Sequence, residues 1–182
     1  LDVIEHIQQR KSDFGFLTVQ IADKKDMLKK AELYGLKYEF LCQTPTVALI
    51  SANSSLASKD VITPQDIKAM PMYMLKQMKF IINDNLPEQQ NIHYCLDRDS
   101  RNKMIIKKDG YTILSPLEMT GDFYINQGLL MMKPFVDPAN DISMELYVLY
   151  DRKHNQASYK EDFLDLVKKY FKNLDYPLAA NV

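Results

Sequence analysis

At 182 residues, with 46% hydrophobic and 26% charged residues, the chain has the apolar material for a packed core, which excludes a disordered tail. Its formal net charge of −1 leaves no basic field to hold a phosphate backbone, so this part of the molecule is not expected to grip nucleic acid. No apolar run approaches the ~20 residues needed to cross a bilayer and no secretory pattern opens the sequence, which points to a cytoplasmic protein.

Helices alternate with short apolar runs along the chain, the pattern of an α/β architecture with largely parallel sheets. Asp2 caps a first helix that reads from Leu1 to Arg10, with Glu5 at the reciprocal capping position. Phe14 to Val19 is a compact apolar run and reads as a buried strand. A lysine-rich helix follows from Asp23 to Leu33, ended by Gly35 in a left-handed conformation. Leu36 to Cys42 and Thr46 to Ser51 are the next strands. Thr63 then caps a short helix with Pro64 at its first position, and Pro71 stops it.

Met72 to Leu75 suits a strand, Gln77 to Asn85 a helix, and Ile92 to Leu96 a strand. A helix from about Asp99 to Lys108 ends at Gly110, with Asp99 readable as its cap. Tyr111 to Leu114 is a strand, and Ser115-Pro116 opens another capped start. Leu129 to Met132 and Glu145 to Tyr150 are the last strands. In the final helix Ser158 caps, Glu161 completes the capping box, and Phe163, Leu166, Val167, Tyr170 and Phe171 form one apolar stripe.

Chemistry-bearing constellations are scarce. His6, His93 and His154 are scattered with no carboxylate or cysteine at metal-ligand spacing, so no metal site is expected. Cys42 and Cys95 lie far apart among apolar residues and read as buried, reduced thiols unless the fold brings them together. There is no phosphate-cradling glycine loop and no G-x-S-x-G elbow. The acidic pairs, Asp97 with Asp99 and Asp13 with Asp23, have nothing local that enforces a catalytic gap. Met70, Met72, Met74 and Met78 read as core filling before they read as a pocket. The chain is expected to be neither an enzyme nor a cofactor carrier.

A family likeness runs along nearly the whole chain. Asp13-Phe14-Gly15-Phe16-Leu17-Thr18 resembles the strand after the first complete helix in LysR-type regulatory domains. Leu36 to Leu41, with Glu39, resembles the family's leucine-and-glutamate strand, and Val47-Ala48-Leu49-Ile50 its successor. The best match is Ser55-Leu56-Ala57 through Val61-Ile62-Thr63-Pro64-Gln65-Asp66-Ile67 to Pro71. Met104-Ile105-Ile106 through Ile113-Leu114-Ser115-Pro116 is similar to its helix, glycine turn, strand and proline. The closing strand and helix, Glu145 to Phe171, fit as well. The family often has two glycines in that turn, whereas here Tyr111 stands beside a single Gly110.

The resemblance implies a type 2 periplasmic-binding-protein-like fold of two α/β lobes with a ligand cleft between them. The first lobe would comprise 1–43 and 126–182, and the second 44–125. It also implies that the family's opening strand and helix are missing ahead of Leu1, and that DNA is met only through an N-terminal winged helix-turn-helix outside this chain. Ligands of open α/β sheets sit beyond the carboxyl ends of strands, where helix starts converge. On that ground Thr18 and Gln20, Tyr73 and Lys76, and Asp97, Arg98 and Ser100 are the expected effector contacts. Each has a plainer structural role beside it, as a strand-end hydroxyl, an exposed charge or a helix cap. Lys76 and Arg98 would suit an anionic metabolite. The family reading is a cytoplasmic, bacterial effector-binding domain, homodimeric or homotetrameric in the whole regulator, that responds by lobe closure. A solute-binding protein of a transport system, an enzyme on a two-lobed scaffold and an effectorless interaction domain stay open beside it.

Overall fold

The computed structural model describes residues 3–76, 91–139, 141–151 and 158–172. Its elements are α1 (Val3–Gln8), β1 (Phe14–Gln20), α2 (Lys24–Leu33), β2 (Leu36–Thr44), β3 (Val47–Ser51), α3 (Pro64–Ile67), β4 (Met72–Leu75) and β5 (Ile92–Cys95). They continue with α4 (Arg98–Lys108), β6 (Tyr111–Leu114), α5 (Phe123–Asn126), β7 (Leu130–Pro134), β8 (Met144–Asp151) and α6 (Ser158–Lys172). The expected Asp2 cap, the helix over Gln77–Asn85 and the Ser158 cap lie outside the described residues and side chains.

Two compact units divide the chain: Leu1–Thr44 with Ile142–Val182, and Pro45–Asp141. The outgoing crossing is adjacent to the expected one. The return is later than the expected 125/126, because β7 pairs with β3 from Val47↔Pro134 to Ser51↔Leu130 and so belongs to the second sheet.

In the first unit β8 lies between β1 and β2 and is antiparallel to both. Two-residue alternation gives this sheet two different faces. Leu17, Val19, Tyr147 and Leu149 pack with Ile4 and Ile7 of α1 and Leu28 and Ala31 of α2. Gly15 is what lets α1 approach, since a Cβ there would sit 2.3 Å from Val3 Cγ2 and 3.0 Å from Ile7 Cδ1. On the other face Phe14 stacks with Phe163 of α6 at 4.8 Å, and Lys168 of α6 pairs with Glu39 of β2. Of the apolar stripe expected on α6, Val167 is buried, together with Leu164 from outside that stripe, whereas Leu166 is 65% and Tyr170 58% exposed.

The second unit's sheet has the order β5-β4-β6-β3-β7. β5, β4 and β6 run parallel, and β3 is antiparallel to β6 and β7. The expectation of largely parallel sheets is therefore met only on one side of this unit; elsewhere a strand returns directly beside its neighbour. Val47, Ala48, Leu49 and Ile50 are all 0% exposed, as a central strand covered on both faces requires. The Val47, Leu49 and Ile50 side chains each contribute about 1.5–3 kcal/mol by leaving water. Asp66 Oδ2 accepts the Thr63 N–H and hydroxyl, each at 2.9 Å, and fixes the start of α3.

Candidate functional site: the strand ends of the second unit

Parallel strands β5, β4 and β6 end together at Cys95, Leu75 and Leu114. The chain leaves β4 for β5 on one side and comes back to β6 on the other, so the strand order reverses between β4 and β6. Such a switch point opens a crevice beyond the carboxyl ends, because the two connections depart to opposite sides. Here β4 and β6 share only the rung Met72↔Tyr111, at their amino ends.

A polar cluster surrounds this edge, built from α4 and from residues 115–126. Asp97 caps α4, its Oδ1 accepting the Ser100 N–H at 2.7 Å, and that backbone bond holds its carboxyl below the usual range. Asp99, expected as the cap, instead pairs with Lys103 at 2.6 Å and accepts the Tyr124 hydroxyl at 2.5 Å. Both bonds lower its pKa, the Lys103 bond more. The Arg98 Nη1 donates to the Glu118 carbonyl at 3.1 Å. The positive end of α4 thus already carries two carboxylates.

Beneath them lies Arg101, 1% exposed. Its Nε donates to Asn102 Oδ1 at 3.2 Å and its Nη2 reaches the Met119 sulfur at 3.5 Å, so its partners are an amide and a thioether rather than a carboxylate. Burial lowers its pKa, against the pull of Glu118. Burial in turn pushes the Glu118 carboxyl up, against Arg101 and Arg98. Asn102 Nδ2 donates to Asp122 Oδ2 at 3.1 Å, and Asp122 Oδ1 caps α5 by accepting the Tyr124 and Ile125 N–H groups at 2.8 and 3.2 Å.

Asp97, Arg98 and Ser100 therefore sit together at the α4 start, and exposed Lys76 follows β4 on the neighbouring strand end. Tyr73 does not join them. It is the second residue of β4, 3% exposed, with its ring stacked on His93 at 5.2 Å and lying over Gly110. Thr18 and Gln20 belong to the first unit, half-buried at the carboxyl end of β1 opposite Leu146 and Met144. Beside them Glu145 binds Lys24 at 2.9 Å and accepts the Tyr147 hydroxyl. Residue types gave no warning of Arg101, Asn102, Asp122 and Tyr124; the one signal was the Arg98/Arg101 spacing, which places both on neighbouring turns.

A cavity of about 540 Å³ lies elsewhere, along β2, lined by Glu32, Lys37, Tyr38, Glu39 and Tyr150 among others, and it contains none of the expected contacts. Cys42 is half-buried and Cys95 buried, both as free thiols, and they belong to different units. Among the described residues no cluster of three or more His, Cys, Asp or Glu side chains is placed to hold a metal, and no helix is long and apolar enough to cross a membrane.

No protein-family model and no curated protein sequence matches the chain. Solved structures do. The regulatory domain of MetR, a LysR family regulator from N. meningitidis, is 16% identical with a TM-score of 0.62, over 96% of this chain and 78% of that one. A putative LysR family transcriptional regulator from Pseudomonas aeruginosa is 16% identical with a TM-score of 0.68, over 94% of this chain and 58% of that one. The reduced regulatory domain of OxyR2 from Vibrio vulnificus is 14% identical with a TM-score of 0.65, over 94% and 76%. With two α/β units and these structural counterparts, the chain has the periplasmic-binding-protein-like fold of LysR-family regulatory domains.

Proposed function

We propose that the chain is the effector-binding regulatory part of a bacterial LysR-type transcription regulator. The observation that carries this reading is the reversal of strand order between β4 and β6, where a switch point coincides with a polar cluster. Ser100, Arg98 and Asp97 are the proposed contacts there with Lys76, and Thr18 and Gln20 are proposed effector contacts at the carboxyl end of β1. Tyr73 keeps a supporting role within β4, packed over Gly110. The effector is a small polar metabolite. With Asp97 and Asp99 at the α4 start, an anion would have to be attracted by Lys76 and Arg98 against them.

Binding acts by shifting a population of conformers, and through it the assembly of the whole regulator and its hold on DNA. Dimers or tetramers, and a separate DNA-binding part, belong to the same reading. A thermal-shift screen of metabolites against the chain tests it. A hit that raises Tm, is not turned over, and loses at least about tenfold in affinity in both Thr18→Val and Arg98→Ala supports the assignment. Chemical conversion of the hit would make the chain an enzyme, and unchanged affinity in both variants would remove these contacts.

A further inference from the structure

The cavity of about 540 Å³ along β2 belongs wholly to the first unit and has the size of a small-molecule site. β2 ends the strand order β1-β8-β2, and alternation divides its side chains between the two faces of the sheet. Leu36 and Tyr38 face the core made with α1 and α2, whereas Glu39 faces α6 and meets Lys168. Tyr38, Glu39 and Tyr150 all line the cavity, so it bends around the outer edge of the sheet.

Its polar groups are mostly of one kind. The Tyr38 hydroxyl donates to Glu32 Oε1 at 2.8 Å, and the Tyr150 hydroxyl donates to Glu39 Oε1 at 2.5 Å. Each phenol thus commits its one hydrogen to a carboxylate and offers the cavity lone pairs and a ring. Burial and Glu39 push the Tyr150 phenol up to about 12, so it keeps that hydrogen. Glu39 stays ionised because Lys168 and Tyr150 outweigh its burial. Glu32 forms no ion pair among the described residues. The one cation in the lining, Lys37, is exposed to solvent and its counter-ions.

A cavity of acceptors selects a charged donor. An ammonium group answers both features, because its N–H bonds meet carboxylate and phenol oxygens while the rings attract its charge. The acceptors form two pairs, Glu32 with Tyr38 on one side of the strand and Glu39 with Tyr150 on the other. We propose that this cavity binds a short aliphatic diamine, one ammonium against each Glu–Tyr pair and the carbon chain passing round the edge of β2 between them. The second ammonium competes with Lys168 for Glu39. The inference does not rest on the effector reading, and none of the residues proposed for that site lines this cavity.

Isothermal titration of the chain with linear diamines of about three to six carbons, at low ionic strength, tests it. A Kd of about 0.1–1 mM is expected for the best of them. Affinity should fall at least about fivefold in Glu32→Gln and in Glu39→Gln, which keep the side-chain shape and remove the charge. Lys168→Met removes the competing cation and should tighten binding at least about twofold, which a merely structural role of Glu39 does not give. A monoamine of equal length should bind at least about fivefold more weakly, and succinate should not bind. Circular dichroism melts identify a variant that fails to fold, and because Glu32 and Glu39 lie on different elements, either alone gives the reading. No saturable heat with any diamine up to about 20 mM, equal binding of the monoamine, affinity indifferent to a folded Glu32 or Glu39 variant, or no tightening in a folded Lys168→Met overturns the proposal.

Discussion

Gly110→Ala should destabilise the second unit through the one rung that joins β4 to β6. The added Cβ would lie 2.3 Å from Tyr73 Cε2, 2.7 Å from its Cδ2 and 2.6 Å from the Pro71 carbonyl oxygen. Neither neighbour yields easily. Tyr73 is 3% exposed and backed by the His93 ring, and the Pro71 oxygen accepts the Tyr111 N–H at 3.0 Å. Relief requires the ring to leave its site or the rung to open. Overpacking costs about 1–3 kcal/mol and the lost hydrogen bond about 1 more, so a total of about 2–4 kcal/mol is expected. For a chain of this size that is a fall in Tm of about 4–16 °C, read by circular dichroism and checked by urea unfolding. Tyr73→Ala combined with Gly110→Ala should cost less than the sum of the two, because the ring clash is counted once. A loss under about 0.5 kcal/mol in Gly110→Ala, or strict additivity in the pair, would refute the reasoning.

Other substitutions probe the same construction. Asp122→Ala removes the α5 cap and the partner of Asn102, and should cost about 1–2 kcal/mol in denaturant unfolding; a neutral result would deny the cap its role. Arg101→Met should stay within about 1 kcal/mol of the parent, because a charge without an ion pair gives up little when an apolar chain of similar volume replaces it. Arg101→Ala should lose about 2–4 kcal/mol to the cavity, and equal losses in the two would show the charge itself to matter. Burial raises the Glu39 carboxyl, but Lys168 and Tyr150 outweigh it and hold it below the usual range. Its stabilising contribution is therefore full above an unfolded pKa of ~4.3 and vanishes as pH falls through the folded value. Glu39→Gln should flatten the acid limb of the stability curve between about pH 5 and pH 2; parallel curves would reject the pair.

Local signals in the sequence placed most elements well. Gly35 does end α2 at φ +73°, and Thr63-Pro64 does open α3 with Asp66 closing the capping box. Tertiary choices were less visible. Asp109 rather than Gly110 takes the left-handed turn at φ 48°, which an aspartate tolerates, freeing Gly110 for the close approach to Tyr73. Helical spacing cannot tell which of two adjacent apolar rows on α6 meets the sheet, so Leu166 and Tyr170 were grouped with Val167. Apolar runs also do not encode partner direction. β3 and β7 are as apolar as parallel strands, yet pair antiparallel. At the site, the cap and the charged start of α4 were legible, whereas Arg101 meets Met119 and Asn102 meets Asp122 only when α4 folds against residues further along the chain.

The position of β8 bears on how the molecule is made. β8 alone links β1 and β2 in the sheet's hydrogen-bonded order, and it follows the whole of Pro45–Asp141 in the chain. During synthesis the segment that carries β1 and β2 must therefore wait for β8, while the contiguous unit behind it is completed and can fold. A segment made before the second unit thus becomes ordered after it. Such a delay makes the β8 strand the closing step of folding, and leaves β1 and β2 as the stretches a chaperone would shield in the interval.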